Sequence, residues 1–85
     1  MRILYVEDDA LDADLTRREL SRRAPHLQLQ IARTQSEALQ HLEHPERYDL
    51  ILTDLNLPDG GGFVVLAYVR ERALPLAVVV VTGQG

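Results

Sequence analysis

The sequence contains no cysteine and no lysine. The absence of cysteine excludes a disulfide scaffold and a thiolate metal site. All nine basic residues are therefore arginine. No apolar run approaches the roughly 20 residues that a membrane-spanning helix needs, so no membrane association is expected. Met1-Arg2 leads into only four apolar residues before acid. That is too little for a secretory leader, and a cytoplasmic location is the expectation. Neither GxxxxGK followed by Ser or Thr nor GxGxxG occurs, so a phosphate-binding loop of those kinds is not supported. There is no internal repeat, low-complexity tract or linker. The net charge of −4 argues against nucleic-acid binding by this segment.

What is present, in 85 residues, is one small domain or part of one. Two hydrophobic periods alternate along it. Arg2 to Val6 is a short, continuously apolar strand. Asp9 can cap a following helix, with Asp12 and Asp14 near its positive end. Leu11, Leu15, Leu20 and Ala24 form the expected inward stripe, and Pro25 ends the helix. Leu27, Leu29 and Ile31 alternate with Gln28, Gln30 and Ala32, a strand with one wetter face. Thr34-Gln35-Ser36-Glu37 reads as a capping box before a second helix that stops by Pro45. Tyr48 to Thr53 is a third strand. Phe63 to Arg72 is a third helix, with Phe63, Leu66, Val69 and Ala73 expected on its inner stripe. Leu76 to Val81 is a last apolar strand.

The order βαβαβαβ implies an α/β fold, a doubly wound parallel sheet with helices on both faces. Buried parallel strands are apolar on both sides, whereas an edge strand can alternate. The second strand alternates, so it belongs at an edge, and the simplest strand order is 2-1-3-4. That is the start of the flavodoxin-like 2-1-3-4-5 pattern, whose site lies beyond the carboxyl ends of strands 1 and 3. Strand 1 runs into Glu7-Asp8-Asp9 and strand 3 into Asp54. Carboxylates that converge repel one another and raise each other's pKa, an arrangement expected where a cation is bound or chemistry is done. The donors are all hard oxygens, which suits Mg²⁺.

These segments resemble the receiver domain of two-component response regulators. The matching parts are Ile3-Leu4-Tyr5-Val6-Glu7-Asp8-Asp9, Asp49 to Gly60 with its Asp54-Leu55-Asn56-Leu57-Pro58-Asp59-Gly60 run, and Val79-Val80-Val81-Thr82-Gly83. The acidic pair and the DLNLPDG run together are specific; either alone would be weak. The resemblance implies that Asp54 accepts a phosphoryl group from a phosphohistidine on a sensor histidine kinase or phosphotransfer protein. It implies Asp8 as a direct Mg²⁺ ligand, Glu7 acting mainly through water, and Asn56 giving its backbone carbonyl. Thr82 would bond a phosphoryl oxygen. Self-phosphorylation and slow autodephosphorylation would make the domain a switch rather than a turnover enzyme.

Asp9 is expected to cap its helix rather than bind metal, and His26, His41 and His44 to lie away from the strand ends. The alternative function is a pseudo-receiver, a protein-binding module that keeps the fold without phosphorylation. The family takes a Lys and an aromatic switch residue from a fifth strand, and neither has a counterpart here. None of the nine Arg is marked out as a substitute for that Lys. The expectation is therefore a partial receiver over residues 1–85, with a fifth strand and last helices missing. A homodimer that covers the apolar fourth strand is the lesser alternative.

Overall fold

A computed structural model describes residues 1–54 and 62–81. Four parallel strands carry the fold: β1 (Arg2–Val6), β2 (Gln28–Ala32), β3 (Leu50–Asp54) and β4 (Ala77–Val81). Their order in the sheet is β2-β1-β3-β4, as the alternation in β2 predicts. Three helices link them: α1 (Ala10–Arg23), α2 (Gln35–His41) and α3 (Gly62–Glu71). A short 3₁₀ turn, Pro45–Arg47, lies between α2 and β3.

The starts of α1 and α2 follow local rules. The Asp9 carboxylate accepts from the amides of Leu11 and Asp12, at 2.9 and 3.0 Å. The Thr34 hydroxyl accepts from the Glu37 amide at 3.1 Å, and the Glu37 carboxylate accepts from the Arg33 amide at 2.9 Å. Each side chain satisfies amides that a helix start leaves unpaired.

Register sets the two faces of the sheet. Leu4 pairs with Ile51, Ile51 with Val78, and Val6 with Thr53. Leu4, Val6 and Ile51 pack with Ala38 and Leu42 under α2 and with Val65 and Val69 of α3. Period-two alternation sends Ile3, Tyr5 and Glu7 to the opposite face. On that side α1 brings its one fully buried residue, Ala13.

Two helix stripes differ from expectation. Leu11 and Leu15 are 65% and 52% exposed, because α1 turns Ala13 inward instead. Alanine permits a close approach, and leucines two places either side of it fall on the far side of the helix. In α3 the inner positions are Val65 and Val69, while Phe63 and Ala73 are exposed. Val79 and Val80 of β4 are also exposed. Ala73 takes the left-handed backbone, φ 52°, just after α3, a conformation more often given to glycine at a helix end.

Candidate functional site

The carboxyl ends of β1 and β3 lie side by side, since Val6 and Thr53 are register partners. One step further along each strand are Glu7 and Asp54. One carboxylate oxygen from each of Glu7, Asp8 and Asp54 falls within 4.8 Å of the others. The structure thus brings together three of the residues expected at the site. Asn56 and Thr82 lie outside the described residues, as do Pro58 and Asp59. Asp9 is not in the group and serves as the α1 cap.

Glu7 is the unusual member. It is only 7% exposed, whereas Asp8 and Asp54 are less enclosed. Burial pushes its carboxyl above the ordinary glutamate value of 4.5, and the charge of Asp54 pushes the same way. Two donors oppose the shift. The Asp9 amide donates to Oε2 at 3.1 Å and the Tyr5 hydroxyl to Oε1 at 3.2 Å. Both Glu7 oxygens therefore already hold a protein donor.

The donor set tests the fit to Mg²⁺. It is all oxygen, carried on two neighbouring strand ends, and two of its three carboxylates are less enclosed than Glu7, which suits a small hard ion that keeps several waters. Histidine is absent from it: His41 stands elsewhere, its Nδ1 3.0 Å from the Tyr48 hydroxyl.

Sequence reasoning missed two residues here. Tyr5 was visible only as an apolar strand residue, although period two already put its side chain on the face of Glu7. Arg33 carried no signal at all. Its guanidinium donates to the Asp8 carbonyl at 2.9 Å, so one of the nine arginines does stand beside the acids. That contact joins residues 25 apart and depends on β2 lying next to β1.

A pH dependence follows from Glu7. A carboxyl whose folded pKa is raised binds its proton more tightly in the folded state. Its contribution is fully present below the unfolded value and is lost as pH rises through the folded one. Metal-free wild type should thus lose stability relative to Glu7→Gln as pH rises from about 4.5. Asp49 works oppositely. The Arg2 amide holds its pKa below the ordinary 3.8, so its contribution is lost only as pH falls further. Melting temperatures of the two proteins across a pH series check this; parallel curves would contradict it.

The family model for the response regulator receiver domain matches residues 3–85. Among solved structures, the chain is similar to a CheY-like response regulator receiver domain protein from Methanospirillum hungatei. Identity is 32% and the TM-score 0.84, over 99% of this chain and 65% of that one. The non-phosphorylated HemR receiver domain from Leptospira biflexa matches at 34% identity and TM-score 0.73, over 99% and 67%. The response regulator TrrA from Thermotoga maritima, solved in complex with Mg²⁺ and BeF, matches at 25% identity and TM-score 0.82, over 93% and 66%. The chain thus spans about two thirds of the length of these solved relatives. Comparison with curated protein sequences gives no match. No helix among the described residues is long and apolar enough to cross a membrane.

Proposed function

The chain belongs to the response regulator receiver family of two-component signalling, and from that premise we propose that Asp54 is its phosphoryl acceptor. The observation that carries this reading is the convergence of Glu7, Asp8 and Asp54 within 4.8 Å, with Glu7 buried. A pseudo-receiver would have no use for a buried, repelled carboxylate at that point.

The donor is a phosphohistidine on a sensor histidine kinase or a phosphotransfer protein. An Asp54 carboxylate oxygen attacks phosphorus, and the phosphorus–nitrogen bond breaks. Its electron pair leaves with the imidazole, which takes up a proton. Asp54 becomes an acyl phosphate, which water later hydrolyses back to the carboxylate. Catalysis of such a transfer is mainly positioning and charge neutralisation.

Asp8, Asp54 and the Asn56 carbonyl would hold Mg²⁺ directly, with Glu7 supporting it through water. The cation supplies the positive charge that lets an anionic nucleophile meet an anionic donor. Glu7, held by the Tyr5 hydroxyl and the Asp9 amide, keeps its carboxyl group fixed beside that place. Thr82 would donate its hydroxyl to a phosphoryl oxygen and couple the modification to an output.

Incubation with acetyl phosphate and Mg²⁺, followed by intact mass, tests the reading. The expected result is one phosphoryl group per chain, and none when Mg²⁺ is chelated before the donor is added. An unmodified chain under conditions that label another receiver would contradict it.

A further inference from the structure

We infer that Tyr5 is a positioning residue for the metal site, acting through Glu7. This rests on the metal reading above and deepens it. Tyr5 lies inside β1 and is 7% exposed. Alternation along the strand puts its side chain on the face of Glu7, two residues on. Its hydroxyl donates to Glu7 Oε1 at 3.2 Å in a buried contact. The phenol is not a filler of apolar space, since a leucine would pack there without burying an oxygen. Thr16 of α1 also lies against the same phenol oxygen. The hydroxyl is thus held between the helix on one side and the carboxylate on the other.

A buried carboxylate has several rotamers and few partners. Without the Tyr5 bond, Glu7 Oε1 would lose the donor that fixes it, while the Asp9 amide would still hold Oε2. Bonds of this kind orient the groups around a metal and keep them charged. Their loss costs about tenfold in metal affinity. The other two tyrosines provide an internal contrast. Tyr48 is engaged with His41, and Tyr68 lies under the Arg72 guanidinium at 3.9 Å. Those partners are His41 and Arg72 and not the acids, so a change at the metal site should reach tyrosine absorption through Tyr5.

The test is a double-mutant cycle read by calorimetric Mg²⁺ titration of wild type, Tyr5→Phe, Glu7→Gln and the double variant. Tyr5→Phe should weaken Mg²⁺ by about tenfold, and should have little further effect once Glu7 is Gln, since coupled residues are not additive. A residue that only packs would weaken both backgrounds equally, or neither, and either result overturns the inference. A second measurement needs no variant: Mg²⁺ added to wild type should perturb the tyrosine absorption spectrum. A spectrum that stays flat while calorimetry shows saturation also overturns it. A wild type that binds no Mg²⁺ overturns the metal reading itself, and this inference with it.

Discussion

Asp54→Asn is expected to abolish phosphoryl acceptance and, in metal-free buffer, to raise the unfolding free energy by roughly 1–2 kcal/mol. The first effect follows from chemistry. A carboxamide lacks the anionic oxygen that would form the acyl phosphate. The second follows from the site's electrostatics. Three carboxylates lie within 4.8 Å, and the Asp54 charge adds to the burial that already disfavours ionised Glu7. Groups set for binding in this way cost stability until the ligand arrives, and relief at such sites is of that size. Mg²⁺ should then narrow the gap. At ten times its dissociation constant it adds about 1.4 kcal/mol to wild type by mass action, and less to a variant that has lost one ligand. Urea unfolding with chelator and with Mg²⁺ reads both quantities. A less stable metal-free Asp54→Asn would contradict this account of the cluster.

Leu4→Ala is expected to remove a large share of the domain's stability. Leu4 is fully buried, in the centre of β1, within the core formed with Ile51, Leu42 and Val65. Truncation of a buried leucine costs about 2–5 kcal/mol, the transfer term plus the cavity it leaves. A domain of this size has a total of only about 4–13 kcal/mol at typical values per residue. Leu11→Ala is the contrasting variant. Leu11 is mostly exposed, so its change should stay within about 0.5 kcal/mol. Urea midpoints of the two variants check the pair. Equal losses would mean that α1 packs on its leucines, as the spacing of Leu11 and Leu15 suggests, and not on Ala13.

Those leucines also mark the boundary of what the sequence discloses. Strand order was legible because β2 alternates while β1, β3 and β4 do not, and burial on two faces leaves no other pattern. The caps at Asp9 and Thr34 were legible because a cap spans three residues and needs nothing distant. Helix direction was not. In α1, Leu11 and Leu15 advertise one face while Ala13, Thr16 and Leu20 occupy another, and only the sheet decides between them. Phe63 misled for the same reason, since Val65 and Val69 carry the contact. At the site, the convergence of Glu7, Asp8 and Asp54 could be derived from topology alone. The Tyr5 bond to Glu7 needed rotamers, and the Arg33 bond to Asp8 needed the placement of β2 against β1.

The central claim is the identity of the acceptor. Borohydride reduces an acyl phosphate at aspartate to homoserine, which marks the modified position permanently. The chain treated with acetyl phosphate and Mg²⁺, reduced, digested and sequenced by tandem mass spectrometry, should show homoserine at position 54 and aspartate at positions 8 and 9. Homoserine at 8 or 9 with intact Asp54, or no reduced residue in a sample whose mass shows a phosphoryl group, would contradict it.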